Sequence, residues 1–582
     1  MLVRRQLQAL RAIAFAPLKD RANWLAGAQE GVEFLKSNAT SDYILLYASL
    51  GMAYVQSALA PVEALTPAKT DELISAHLDV DHGWCIQHEW GSEGRKIYLE
   101  GPLRGAGIES LAEGEQLVFR RIFNGLRQHR PVVEICQRLV QALDLHFLPE
   151  RNSYCRLDER GDLEDVIYVV DQPQDADHEH ECAVLILAEH LAKYMAVSNQ
   201  AMFRKFDFTR YPEGSFTSWG DGSAEISFAP DLFYSRRVVP GHASYVNGGQ
   251  IIRTGLTVAD LIRAEEGKAD PTRRRYETFK IFDRKNDALV ETSCGPDGVV
   301  NYFTKSDKPW EISPAFFRPD VLARFKADPD KYDLTDRDIR CRNAWSLRTY
   351  DINEAGQVHT YIGYLANLPF EEQQYWKLYN EWPKDSISRR AFENDILGEW
   401  TSERDPLRDI KHVVCALDKQ KPIWWKPRGE VLVDRVLAPT TSSSKEWADE
   451  ILALDQLIVE GFLPKALRIH AQALGVTTDP GWASLRLIEA IIEGLGATPD
   501  QAKARVASLR RLHFLRTKVK GHASGEGKEL EREALAKYGS FRAHFLALCG
   551  DCHDALSAIV EALARIDHPV PHDNGETVEG AT

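Results

Sequence analysis

"YILLYASLGMAYVQSALA", Tyr43–Ala60, runs for eighteen residues without a charged side chain. Such a stretch is barely long enough to span a membrane as one helix. Its composition argues otherwise: Gly51 interrupts two β-prone runs, and Tyr43, Tyr47, Tyr54, Ser49, Gln56 and Ser57 are spread along it. A pair of buried strands meeting at Gly51 satisfies the pattern better than a single helix. The chain is therefore read as having no membrane span.

Working outward, a helix is expected near 24–37, before this pair, and strands at 83–90 and 96–103 after it. Residues 114–146 show helical spacing through Val118, Ile122, Leu126, Val133, Cys136, Leu139 and Leu143, with a break at Pro131. Residues 152–170 place Arg160-Gly161-Asp162 between two strand-like runs, a hairpin signal. From 205 to 300, aromatic and β-branched runs alternate with Gly and Pro, so strands and loops are expected. Near 370, Pro369 with Glu371 and Glu372 marks a helix start, where a proline costs little and acids suit the helix dipole.

At "LAPTTSSSKEW", Ala438–Ser444 offers small side chains, a proline and a Thr/Ser run, the chemistry of a linker or a helix cap. Helices are expected beyond it at 445–460, 464–473, 482–494, 498–519 and 529–567. The expected fold class is α+β: a large, mixed, strand-rich N-terminal region followed by an all-α helical bundle. The expected divisions are a mixed domain at 1–120, a central α+β region at 121–437 with a recognition role, a linker at 438–444, a bundle at 445–568 and a disordered tail at 569–582.

Composition limits the function. A formal net charge of −15 gives no overall attraction to nucleic acid or to an anionic membrane, so any such binding must be local. Nine scattered cysteines do not resemble a secreted disulfide framework, and a reducing cytoplasm fits them better. The N-terminal "MLVRRQLQALRAIAFAPLKDR" lacks a continuous apolar core and a small-residue cleavage site, so it is not read as a signal peptide.

One local exception to the acidity stands out. Between Gln501 and His522 there are seven basic residues (Lys503, Arg505, Arg510, Arg511, Arg516, Lys518 and Lys520) and no acid. Such an excess attracts a phosphate backbone, and equally suits a solvated helix face. Within it Val506, Leu509, Leu512, Leu515 and Val519 make an apolar stripe at helical spacing. Arg516 falls in the middle of that stripe. A guanidinium there requires a carboxylate, backbone carbonyls or a neighbouring chain, because burying it unpaired is costly.

Arg516, five intervening residues and then His522, at the end of a helix in a helical bundle, resembles the signature of the HEPN superfamily. Members are commonly metal-independent endoribonucleases that dimerise so that two Arg/His pairs meet around the scissile phosphate. The resemblance covers about 445–567. It implies that Arg516 and His522 are catalytic, and the basic run adds Lys503, Arg510, Arg511, Lys518 and Lys520 as RNA contacts. It further implies RNA and a second copy of the chain as partners, no cofactor or metal, and a role as an anti-phage or toxin effector regulated by the N-terminal region. The alternative is a non-catalytic HEPN-like bundle that dimerises or binds nucleic acid. Family members often carry Asn, Asp or His directly after the arginine, where this chain has Thr517. The bare spacing also occurs at Arg236/Arg237–His242 and Arg565–His572, so helical and basic context carries the assignment.

Other motifs are weaker. "CGDCH" (549–553) matches a haem-attachment pattern, but both cysteines lie on a helical apolar stripe running from Tyr538 to Ile566. "QDADHEHEC" (174–182) and "HLDVDHGW" (77–84) read as acidic loops more readily than as metal sites. No Gly-x-x-x-x-Gly-Lys-Ser/Thr loop is present, which removes a P-loop nucleotide engine.

Overall fold

The computed structural model describes residues 2–14, 21–66, 72–73, 76, 78, 81–104, 111–121, 132–172, 181–210, 224–239, 243–269, 274–400, 404–521 and 525–567. Packing divides the chain into two units, Met1–Arg274 and Arg275–Thr582. The class is α+β, with strand-rich sheets first and helices last.

In the first unit the charge-free stretch forms two antiparallel strands, Tyr43–Leu50 and Ala53–Pro61, turning at Gly51 with φ +47°. They lie in the middle of an 11-stranded sheet, flanked by Glu181–Leu187 on one side and Gln200–Arg210 on the other. Both faces of the pair are covered. Leu45, Ala48 and Val55 pack with Val3, Leu10, Val32 and Leu35 of two N-terminal helices. Ile44, Leu46 and Leu59 pack on the opposite face with Leu139, Leu191 and Met195. Burial on two faces removes the polar alternation of a half-exposed strand and leaves an uninterrupted apolar run.

The hairpin expected at 152–170 is present as Ser153–Leu157 paired with Leu163–Gln172. The helical expectation for 114–146 fails in part. Val118–Arg121 and Val132–Ile135 are strands paired with each other, and among the described residues of this stretch only Gln137–Ala142 is helical; Ile122, Leu126 and Pro131 lie outside the described residues. Short apolar runs carry too little periodicity to separate strand from helix.

The second unit begins with a 6-stranded sheet whose core holds Phe317, Phe325 and Trp376, beside the Phe370–Tyr379 helix that Pro369 precedes. One helical core then spans Leu407 to Leu563. This core starts before residue 445, because the Pro406–Gln420 and Glu430–Arg435 helices bury Ile410, Val414, Leu417 and Val433 in it. Nor does 438–444 separate two cores. The amides of Thr440 and Thr441 donate to Glu446 at 2.9 and 2.8 Å, and Ser443 caps the Ser444–Ile458 helix, so the run is a cap. Residues 121–437 accordingly fall on both sides of the Arg274/Arg275 division.

Four of the five expected bundle helices appear as Ser444–Ile458, Pro464–Ala473, Ser484–Gly494 and Pro499–Gly521. The fifth is two helices, Gly525–Tyr538 and Phe541–Asp567, parted at Gly539. Gly539 takes φ +77°, a left-handed geometry open to glycine, and its amide closes the first helix on the Leu535 carbonyl at 2.8 Å. The tail expected at 569–582 lies outside the described residues, as does 173–180, most of the acidic "QDADHEHEC" stretch. Among the described residues no helix is long and apolar enough to cross a membrane.

Candidate functional site

The Pro499–Gly521 helix buries Val506, Leu509, Leu512 and Leu515, the stripe its spacing demands. Arg516 follows the last of these, and its guanidinium finds carboxylates. Nη1 lies 3.5 Å from Asp455 Oδ2 and Nη2 lies 3.1 Å from Glu460 Oε1. One turn earlier on the same helix, His513 Nδ1 lies 3.1 Å from Asp455 Oδ1. One carboxylate thus holds both the imidazole and the guanidinium.

Asp455 is placed by the Ser444–Ile458 helix, whose Trp447, Ile451, Leu454 and Ile458 face the core. Asp455 stands four residues after Ile451, on the same apolar side, and its side chain has no solvent exposure. Burial raises its pKa above the ordinary carboxylate value, opposed by His513 and Arg516 and assisted by nearby Glu460. Glu460 differs: it sits in the Val459–Gly461 turn that follows the helix, and 41% of its side chain is exposed. Arg516 therefore pairs with one buried carboxylate, whose Oδ2 it approaches without a hydrogen bond, and with one exposed carboxylate.

His522, the second half of the Arg-x5-His pair, lies outside the described residues, and the side chain of Lys520 is likewise not described. Thr517 donates its hydroxyl to the His513 carbonyl at 2.9 Å, which turns it back onto its own helix.

The remaining basic residues do not form one open face. Arg510 pairs with the buried Glu489 at 2.6 Å, Arg511 with Glu533 at 3.4 Å and Lys518 with Glu526 at 2.6 Å. Lys503 is exposed, with no ion pair among the described residues. Acids on the Ser484–Gly494 and Gly525–Tyr538 helices thus offset much of the local charge that Gln501–His522 carries as a sequence.

Two clusters of ligand-type side chains occur among the described residues, His82/Cys85/Glu100 and Glu164/Glu189/His190, each with its donor atoms within 4.8 Å. Both belong to the first unit. Cys549 and Cys552 of "CGDCH" are completely buried among apolar side chains. Burial drives both thiols far above the ordinary cysteine range, as for small core hydrophobes and unlike haem-attachment thiols.

Sequence reading singled out Arg516 and missed Asp455, Glu460 and His513. A signal existed: Asp455 is an acid on an apolar stripe, the mirror image of Arg516, and each predicts a partner for the other. Comparison with protein-family models, curated proteins and solved structures finds no match for this chain.

Proposed function

We propose that the helical part of the chain is a HEPN-like, metal-independent endoribonuclease, acting in the cytoplasm as a homodimer and governed by the rest of the chain. An anti-phage or toxin effector role accompanies that reading. The observation that carries it is the ion pair of Arg516 with Asp455, a sealed carboxylate, which leaves the guanidinium one-third exposed to solvent. An anchored guanidinium is pre-organised to hold a phosphate and to stabilise the charge that develops on it.

In the proposed reaction the ribose 2′-oxygen attacks phosphorus and the bond to the 5′-oxygen breaks. His522 takes the 2′-hydroxyl proton or donates to the departing 5′-oxygen, proton transfers that an imidazole can serve near neutral pH. Arg516 releases exposed Glu460 to take the phosphate and keeps Asp455. Lys503 contacts the strand directly. Arg510, Arg511, Lys518 and Lys520 complete the RNA surface as phosphates displace their carboxylates.

The test compares RNA cleavage by wild type, His522→Ala and Arg516→Ala at equal protein concentration. Loss of cleavage in both variants, with RNA binding retained, supports the enzyme. Equal cleavage in all three removes this site from consideration.

A specific observation favours a second reading, a non-catalytic bundle that dimerises or binds nucleic acid. Arg510, Arg511, Arg516 and Lys518 are all already engaged by acids of their own chain. Under that reading Arg516→Ala changes the dimer mass, and the wild type cuts no RNA.

A further inference from the structure

A cavity of about 410 Å³ lies within the second unit, lined by the 333–354 and 388–390 segments and by residues of the helical core between 404 and 440 and at 542–546. Its size falls in the range of small-molecule sites.

The charges on its wall are of two kinds. Arg390 is satisfied: it donates to Asp351 through Nε and Nη2 at 2.9 and 2.7 Å and to Asp336 at 2.7 Å. Lys411 and Arg542 are not. Lys411 makes no hydrogen bond and no ion pair among the described residues, and the acids that influence it, Asp434, Glu450, Asp336 and Asp405, act without contact. Arg542 has one hydrogen bond, from Nη1 to the Pro439 carbonyl at 3.3 Å, and no ion pair among the described residues. Burial lowers the pKa of both cations, so each is held charged at a cost. Partly buried cations that do not pair with their own protein are disposed to take an external anion.

The same wall carries acids without partners. Asp333 and Asp434 make no side-chain hydrogen bond or ion pair among the described residues. Carboxylates repel a phosphate but accept hydrogen bonds from sugar hydroxyls, as in dinucleotide sites. The cavity is therefore bipolar, with two half-buried uncommitted cations beside exposed Arg408, whose side chain makes no ion pair among the described residues, and separate uncommitted acceptors. Inorganic phosphate alone would use only the first and leave most of the volume unfilled.

We infer that this cavity binds a small phosphorylated polyol, a sugar phosphate or a nucleotide, with its phosphate on Lys411 and Arg542 and its hydroxyls on the unpaired carboxylates. Such a ligand would bridge the sheet-bearing and helical parts of the second unit, because both supply its walls. The inference is independent of the nuclease reading, and its readout involves no RNA.

Calorimetric titration of the full chain with inorganic phosphate, ribose 5-phosphate and AMP tests it. Saturable binding of ribose 5-phosphate or AMP, at least tenfold tighter than inorganic phosphate, is expected. AMP far above ribose 5-phosphate assigns a nucleotide, and near-equal values assign a sugar phosphate. Lys411→Gln and Arg542→Gln should each weaken binding at least tenfold, and Asp434→Asn at least threefold. If Arg542→Gln does not fold, the half-buried Lys411→Gln and the exposed Asp434→Asn carry the test. No saturable binding of either ester, equal affinity for inorganic phosphate, or binding unchanged in Lys411→Gln and Asp434→Asn overturns the inference.

Discussion

Arg516 pairs with two carboxylates, Asp455 and Glu460, the first fully buried and the second 41% exposed. The two contacts should respond differently to mutation. Asp455→Asn keeps the shape but removes the charge that holds both Arg516 and His513, costing about 1–3 kcal/mol of stability. It is expected to lower RNA cleavage at least tenfold, since the guanidinium loses its anchor. Glu460→Gln removes only an exposed competitor, and RNA binding should tighten by about two- to fivefold, the worth of a surface pair. Filter binding and single-turnover cleavage of the two variants separate these effects. Equal losses in both would show that Glu460 also anchors the arginine.

The difference between Asp455 and Glu460 marks what the sequence could and could not reveal. Tyr43–Ala60 was readable as two strands because a sheet covered on both faces writes its burial into every residue. Arg516 was readable as an exceptional residue because a charge on an apolar stripe demands a partner. Which partner answers was not, since Asp455 lies 61 positions away on another helix. The apparent basic patch failed for the same reason. Glu489, Glu526 and Glu533 belong to neighbouring helices, and no window on 501–522 includes them. The 114–146 stretch was misread for a local reason instead: Val118–Arg121 and Val132–Ile135 are only four residues each, too short to display a period.

The turn that carries Glu460 is held by a close approach. A Cβ added at Gly461 would come within 2.4 Å of the Trp425 ring, which packs edge-on against Phe462. Gly461→Ala must therefore push the indole or the turn aside, at about 1–3 kcal/mol. Urea titration should show that loss in the second unit. Trp425 fluorescence should shift as well, and an unchanged denaturation midpoint would mean that the turn yields freely.

The two thiols of "CGDCH" should behave as core atoms. With Cys549 and Cys552 wholly buried and their ionisation strongly suppressed, neither should react with an aromatic disulfide reagent in the native protein, whereas exposed Cys415 should react, slowed by the partial desolvation and nearby acids that raise its pKa. Cys549→Ser places a hydroxyl in an apolar site and should cost about 1–3 kcal/mol, more than Cys549→Ala. Rapid native labelling at 549 or 552, read by mass spectrometry after digestion, would contradict this packing.

Acid should weaken the second unit through His359. Its side chain is 1% exposed, and Nε2 accepts a hydrogen bond from the Ser388 amide at 3.0 Å, which requires a neutral ring. Burial lowers its pKa to about 4, with Asp351 opposing and Arg337 and Arg390 reinforcing the shift. The folded value lies below the unfolded value of about 6.5, so the unfolded chain gains the proton first as pH falls. The stabilising effect of the neutral ring is complete above about pH 6.5 and disappears as pH falls through about 4, a change of about 3 kcal/mol. His359→Gln keeps a polar side chain without the titration. It should be less stable than wild type near neutrality, and the gap should narrow steadily toward pH 4. Urea unfolding of both proteins across that window measures the gap directly, and a constant difference would mean that His359 titrates alike in the folded and unfolded chains.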